Sequence, residues 1–218
     1  MKRVFLACAG LAALVGSAAA ADLGSAPYYK APPAYAPYSW TGFYVGLNGG
    51  GSFAHSTWDS VGSFDLSGGL VGGTVGYNYQ LGQVVFGAEG DVDWTGISGT
   101  GTTATCPLGC TTSNSWLSTI RGRVGYAADR FLPYITGGAA FGNIAASSPG
   151  LVGASATNAG WTLGAGIEFA IIGRWTAKAE YLFVDLGRFN CGPNCGGGFV
   201  DNVSFNANIL RAGVNYRF

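Results

Sequence analysis

The chain has 218 residues, of which 38 are Gly, 14% are aromatic and only 10% are charged, with eleven basic and eleven acidic side chains. An ordinary soluble domain carries roughly 25% charged residues and about 7% Gly, while 48% hydrophobic content is too high for a disordered chain. Balanced charge without a basic stripe excludes a nucleic-acid partner.

Met1-Lys2-Arg3 is a basic start, Val4 to Val15 an apolar run, and Ser17 to Ala21 a zone of small residues. That is the layout of a secretory signal peptide over residues 1–21, cleaved after Ala20 or Ala21. A membrane-spanning helix would need about 20 apolar residues, and the run is too short. Cys8 has too little apolar sequence before it for a lipoprotein site and leaves with the leader. Loss of Lys2 and Arg3 leaves nine basic against eleven acidic residues, a mature charge of −2. Residues 22–39 carry Pro27, Pro32, Pro33 and Pro37 among several tyrosines. Prolines at this density forbid a helix and favour an extended tail, expected on the periplasmic side.

From Trp40 the chain alternates with a period of two. In the first segment, near 41–52, Phe43, Val45 and Leu47 share a face opposite Tyr44, Gly46 and Asn48. Segment two, near 67–79, alternates Val71, Val75 and Tyr77 with Thr74 and Asn78; the short link 80–82 makes it a hairpin with segment three. Segment three, near 83–95, sets Phe86, Val92 and Trp94 against Glu89, Asp91 and Asp93, and segment four, near 115–127, sets Ile120, Val124 and Tyr126 against Arg121 and Arg123. Segment five, near 133–143, is rich in Gly and Ala and its facing is ambiguous. Segment six, near 160–170, places Glu168 opposite Trp161 and Phe169, and segment seven, near 174–185, places Lys178 and Glu180 opposite Trp175 and Tyr181. The last, near 204–218, places Arg211 and Arg217 opposite Leu210, Val214, Tyr216 and Phe218.

Eight strands result, joined by short links near 80–82, 127–132 and 171–173 and long ones near 53–66, 96–114, 144–159 and 186–203. Short turns at one end and long loops at the other are the pattern of an eight-stranded antiparallel transmembrane β-barrel over residues 40–218. An even count puts both termini on the short-turn, periplasmic side, with the long loops extracellular. Trp94, Trp116 and Trp161 fall at the loop ends of their strands, while Tyr77, Tyr126, Trp175, Tyr216 and Phe218 fall at the turn ends, as two membrane interfaces select. No segment after residue 21 suits a spanning helix, so a barrel is the remaining way across a membrane.

At several stretches the sequence resembles the small outer-membrane β-barrel proteins of alpha-proteobacteria, within the wider OmpA-like barrel group. The matching stretches include Trp40 to Gly46, Gly87-Ala88-Glu89-Gly90-Asp91, Arg121 to Tyr126, Leu132 to Gly138, Gly164 to Glu168, Ala179-Glu180-Tyr181 and Arg211 to Phe218. The resemblance implies a surface-exposed barrel whose relatives are described as envelope-structural proteins, immunogens, haem binders or small porins. The closing strand with its final aromatic resembles those of bacterial outer-membrane barrels, so Tyr216 and Phe218 are expected to carry the signal for the barrel-assembly machinery. The other expected partners are outer-membrane lipid and lipopolysaccharide.

The candidate chemistry lies on the inner face. Glu89, Asp91, Asp93, Glu168 and Glu180 meet Arg121, Arg123, Lys178, Arg211 and Arg217 in a lumen that eight strands leave just wide enough for side chains. Two readings follow: a plug of paired charges that holds the barrel closed, or a charged constriction that passes small polar solutes. A third reading places a haem or host-molecule binder on the loops. Cys106/Cys110 and Cys191/Cys195 form two Cys-x-x-x-Cys pairs; in an exported chain these read as disulfides, with three connectivities open. Metal binding there is the weaker alternative, because no His joins them. His55, the only histidine, adjoins Ser56 with Asp59 and Asp65 nearby, yet a hydrolase needs a specific triad geometry. Neither an enzyme nor a cofactor is expected.

Overall fold

A computed structural model describes residues 38–59, 62–103, 106–147, 153–190 and 202–218. The signal peptide, most of the lead-in, and Cys191 and Cys195 lie outside the described residues. Eight strands follow in order: β1 Gly42–Trp58, β2 Gly62–Leu81, β3 Val84–Thr103, β4 Cys106–Tyr126, β5 Phe131–Ser147, β6 Ala154–Ile172, β7 Trp175–Asn190 and β8 Asn202–Arg217. Each pairs antiparallel with the next, and β8 returns to β1 from Tyr44↔Arg217 to Trp58↔Val203, closing the barrel.

The three periplasmic turns share one construction. Two residues form the tip of each turn, Gly82-Gln83 and Gly173-Arg174 directly between strands and Asp129-Arg130 inside an isolated Ala128–Phe131 bridge, and the first of each has a positive φ of 60°, 57° and 55° respectively. A positive φ at that position matches the turn to the right-handed twist of the strands, and Gly reaches it without steric cost.

Alternation decides what each face meets. Phe43, Val45, Val75, Val92, Ile120, Val124, Leu163 and Leu210 all point outward and are exposed, as a lipid-facing surface requires. At the turn end this band closes with ring pairs, Phe43 with Tyr77 at 4.6 Å, Phe131 with Phe169 at 4.7 Å and Trp175 with Tyr216 at 5.2 Å. At the other edge stand Trp94 and the pair Trp161 and Phe183, 5.3 Å apart. Ten steps separate Val84 from Trp94, about 33 Å along a strand and about 25 Å of height at a tilt of roughly 40°. That height equals the apolar band of a typical outer-membrane barrel. A charge placed mid-band should therefore be costly: Ile120→Arg is expected to lower unfolding free energy by about 2–4 kcal/mol in lipid vesicles. A urea titration showing no change would remove Ile120 from the lipid face.

The strands do not stop at the upper girdle. The stretches 53–58, 62–66, 96–103, 106–114, 144–147, 154–159, 186–190 and 202–203, expected as loop, are paired strand. The physical reason is a reversal of polarity with no change of period. Below the girdle the strands are apolar outside and polar inside. Above it the inside is apolar, with Trp58, Leu66, Ile97, Ile144, Leu186 and Phe205 in one buried cluster, while His55, Ser63, Asp65, Ser98 and Thr100 face water. Burying that cluster stabilises pairing where lipid no longer covers the wall. β5 is also settled: Leu132, Tyr134, Thr136, Ala140 and Ile144 face inward.

Candidate functional site

Between the upper apolar cluster and the periplasmic mouth lies a layer of charge. Glu89, Asp91 and Asp93 occupy every second position of β3, Arg121 and Arg123 do the same on β4, and Glu168, Lys178, Glu180 and Arg211 come from β6, β7 and β8. None is more than 3% exposed. Arg121 is the hub: its Nη1 donates to Glu180 Oε1 at 2.9 Å, and its Nη2 donates to Asp91 Oδ2 at 2.7 Å and to Glu89 Oε1. Arg211 is a second fork, donating to Asp93 Oδ2 at 2.7 Å and Asp91 Oδ2 at 3.1 Å, with Glu180 Oε2 2.8 Å away. Lys178 Nζ donates to Glu89 Oε2 at 3.1 Å.

Arg123 runs toward the periplasmic side and donates to Glu168 Oε2 at 2.9 Å and Asn78 Oδ1 at 2.9 Å. Its guanidinium lies 5.0 Å from the Tyr44 ring centroid and 4.9 Å from that of Tyr134, an arrangement that adds cation–π attraction. Both phenols complete the acids, Tyr44 donating to Glu89 Oε2 at 2.7 Å and Tyr134 to Glu180 Oε1 at 3.2 Å. The rings lie across bare backbone: a Cβ on Gly166 would stand 2.6 Å from the Tyr134 hydroxyl. Glycine on the inner face thus makes space for the side chains that finish the network.

Apolar side chains flank the layer on both sides. Above it sits the apolar cluster. Below it Trp40, wholly buried, packs with Val85, Ala127, Leu132 and Ala170. Its backbone amide donates to Gln80 Oε1 at 2.7 Å and its indole Nε1 to the Asp129 carbonyl at 3.1 Å, so this one residue ties two of the periplasmic turns. Tyr38 and Ser39, expected in the lead-in, belong to this mouth.

One predicted member of the network lies elsewhere. Arg217, expected to pair across the lumen, forms no ion pair among the described residues; it donates to the Ser39 and Thr41 carbonyls and stacks on the Tyr38 and Trp40 rings at 4.8 and 5.6 Å. Six residues below Arg211 on the same strand, it sits about 20 Å away, outside the acidic layer. The other nine are brought together as the alternation implied. From the sequence, Tyr44 and Tyr134 have no expected role in the network and Trp40 has none in a plug; a lone Trp just before the first strand is the signal that points to the plug.

His55 and Ser56 cannot cooperate. Neighbours on a strand point to opposite faces: His55 Nδ1 is 2.5 Å from Asp65 outside the wall, while Ser56 Oγ lies inside, 3.2 Å from Thr112 Oγ1. Asp59 instead accepts from Asn202 Nδ2 at 2.9 Å. Cys110 is buried in the upper cluster, and the side chains of Cys106, Cys191 and Cys195 lie outside the described residues. Among the described residues no three His, Cys, Asp or Glu side chains are grouped to hold a metal. Tyr216 and Phe218 face lipid, their rings 5.3 Å apart, and the Phe218 amide donates to the Phe43 carbonyl at 2.9 Å, sealing the β8/β1 seam.

The family model described as outer membrane protein beta-barrel domain matches residues 6–218. The chain belongs to that family. A 31 kDa outer-membrane immunogenic protein of Brucella melitensis is 39% identical over 246 aligned positions, with all of both chains covered. A 25 kDa outer-membrane immunogenic protein of Brucella abortus is 30% identical over 220 positions, covering 100% of this chain and 99% of that one. A 22 kDa outer membrane protein of Rhizobium leguminosarum is 35% identical over 147 positions, covering 67% of this chain and 64% of its own. The resemblance to alpha-proteobacterial barrels is therefore sound, and the protein resides in the outer membrane. Family membership also agrees with the outward apolar band, which only a membrane would cover.

Proposed function

We propose that this barrel is a closed, non-enzymatic structural protein of the outer membrane that displays its outer hairpins at the cell surface. The observation that carries the reading is the fully buried charge layer held between two apolar seals, the upper cluster and the Trp40 plug. Nine interlocked charges without solvent exposure resemble a cross-brace more than a selectivity filter, whose ions must enter and leave. The immunogenic names of the relatives fit surface display of the hairpin ends. Bridging of the cysteine pairs would stiffen those ends further. Tyr216, half-buried, and Phe218, exposed, both on the lipid side of the closing seam, suit recognition by the assembly machinery. Contact with lipopolysaccharide is expected mainly through its acyl chains, because Arg188 is the one exposed Arg or Lys above the girdle among the described residues.

A small porin is the second reading, and one observation favours it. Asn48 Oδ1, Ser52 Oγ, Asn78 Nδ2, Asp93 Oδ1 and Asn215 Oδ1 line the inner wall without partners, as a thread of water would require. Planar-bilayer recording decides between the two. The folded, heat-modifiable protein should show no steady single-channel openings; selective openings that shift in Arg121→Gln would replace the structural reading with the channel.

A further inference from the structure

The periplasmic mouth holds a pocket that the charge layer and the plug leave unused. Its volume is about 200 Å³, and Tyr38, Arg130, Ala170, Ile171, Ile172 and Gly173 line it. No carboxylate is among them. The Tyr38 hydroxyl is buried and has no hydrogen-bond partner among the described residues. Burial raises its pKa above the ordinary 10.0, with Arg217 opposing, so the hydroxyl keeps its proton and can only gain by finding an acceptor. Arg130 is exposed at the turn between β4 and β5, where its carbonyl accepts from the Ala170 amide at 2.9 Å; among the described residues its guanidinium forms no ion pair. Behind the Tyr38 ring, Arg217 keeps Nε and Nη1 buried without partners, adding positive potential to the same corner.

Height and polarity narrow the ligand. Ile171 and Ile172 are exposed at the lower edge of the lipid-facing band, beside the Phe131 and Phe169 rings. The corner thus offers an apolar wall on its membrane side and cationic donors on its aqueous side. A ligand that matches both carries hydrocarbon above and an anion below, and a guanidinium fork pairs well with phosphate oxygens.

We propose that this pocket binds the phosphate group of a phospholipid in the periplasmic leaflet, with Arg130 pairing to the phosphate and Tyr38 donating a hydrogen bond. A soluble phosphate of the periplasm offers the same anion without the acyl chains. The two are separable by native mass spectrometry of the full-length mature barrel in zwitterionic micelles, titrated with phosphatidylglycerol, phosphatidylcholine or inorganic phosphate. One phosphatidylglycerol should be retained per barrel; Arg130→Gln should weaken retention about tenfold or more, and Tyr38→Phe several-fold. Arg174→Gln, on the neighbouring turn, should leave it unchanged. Among the described residues neither the Arg130 guanidinium nor the Tyr38 hydroxyl has a partner that folding requires, and heat-modifiable migration would verify each variant. Phosphate binding that depends on Arg130 alongside lipid retention that does not would keep the anion site and overturn the lipid assignment. Retention of lipid and phosphate alike in Arg130→Gln and Tyr38→Phe would overturn the site altogether.

Discussion

Arg121→Ala should cost the barrel about 3–5 kcal/mol of unfolding free energy, the largest loss expected of any single charge. The magnitude comes from what is left behind. Arg121 serves Glu89, Asp91 and Glu180 at once, so its loss strands three carboxylates beyond the reach of water. Arg211 and Lys178 can compensate only in part, because each is already committed to neighbouring acids. Arg121→Lys separates charge from geometry: an ammonium restores the balance without the planar fork, and an intermediate loss is expected. Urea unfolding in lipid vesicles, followed by tryptophan fluorescence, measures both. A loss under about 1 kcal/mol for Arg121→Ala, the value of an exposed pair, would mean that the network is hydrated and not a brace.

Trp40→Ala should remove about 3–5 kcal/mol, as expected for a large aromatic emptied from a packed site. Its effect should be felt at the turns, since the indole reaches Asp129 and the backbone amide reaches Gln80. On the structural reading conductance should nonetheless stay absent, because the charge layer and the upper cluster remain in place. Openings in Trp40→Ala would show that the periplasmic plug alone holds the lumen shut. That result would transfer the sealing role from the charges to a single side chain.

Much of this fold was legible in the sequence wherever lipid imposes its rule. The faces of Phe43, Val92, Ile120 and Leu210 were readable because an apolar residue at every second position has one meaning in a bilayer. Glu89, Asp91, Arg121 and Arg123 were readable for the complementary reason: so many charges on the non-lipid side of neighbouring strands must meet in the lumen. The outer halves were not legible. There Leu66, Ile97 and Ile144 alternate with Ser, Gly and Asn, and a reader tuned to apolar-outside sees loops. Both patterns have a period of two, and only three-dimensional closure shows which face is inside. Arg217 misled for another reason. Residue type and face were right, but position along the strand decides which partners a side chain can reach, and one strand's pattern says nothing about stagger against the others.

The reversal of polarity at the upper girdle also has a mechanical meaning. Nine steps carry β3 from Trp94 to Thr103, about 30 Å along the strand, and this portion has its own filling. It behaves as a stalk and not as a tether. The described strand ends of this portion therefore stand well clear of the lipid-facing band. The same eight ribbons therefore serve two environments in series, and a segment grafted at a hairpin end would alter what the surface presents without disturbing the anchor below.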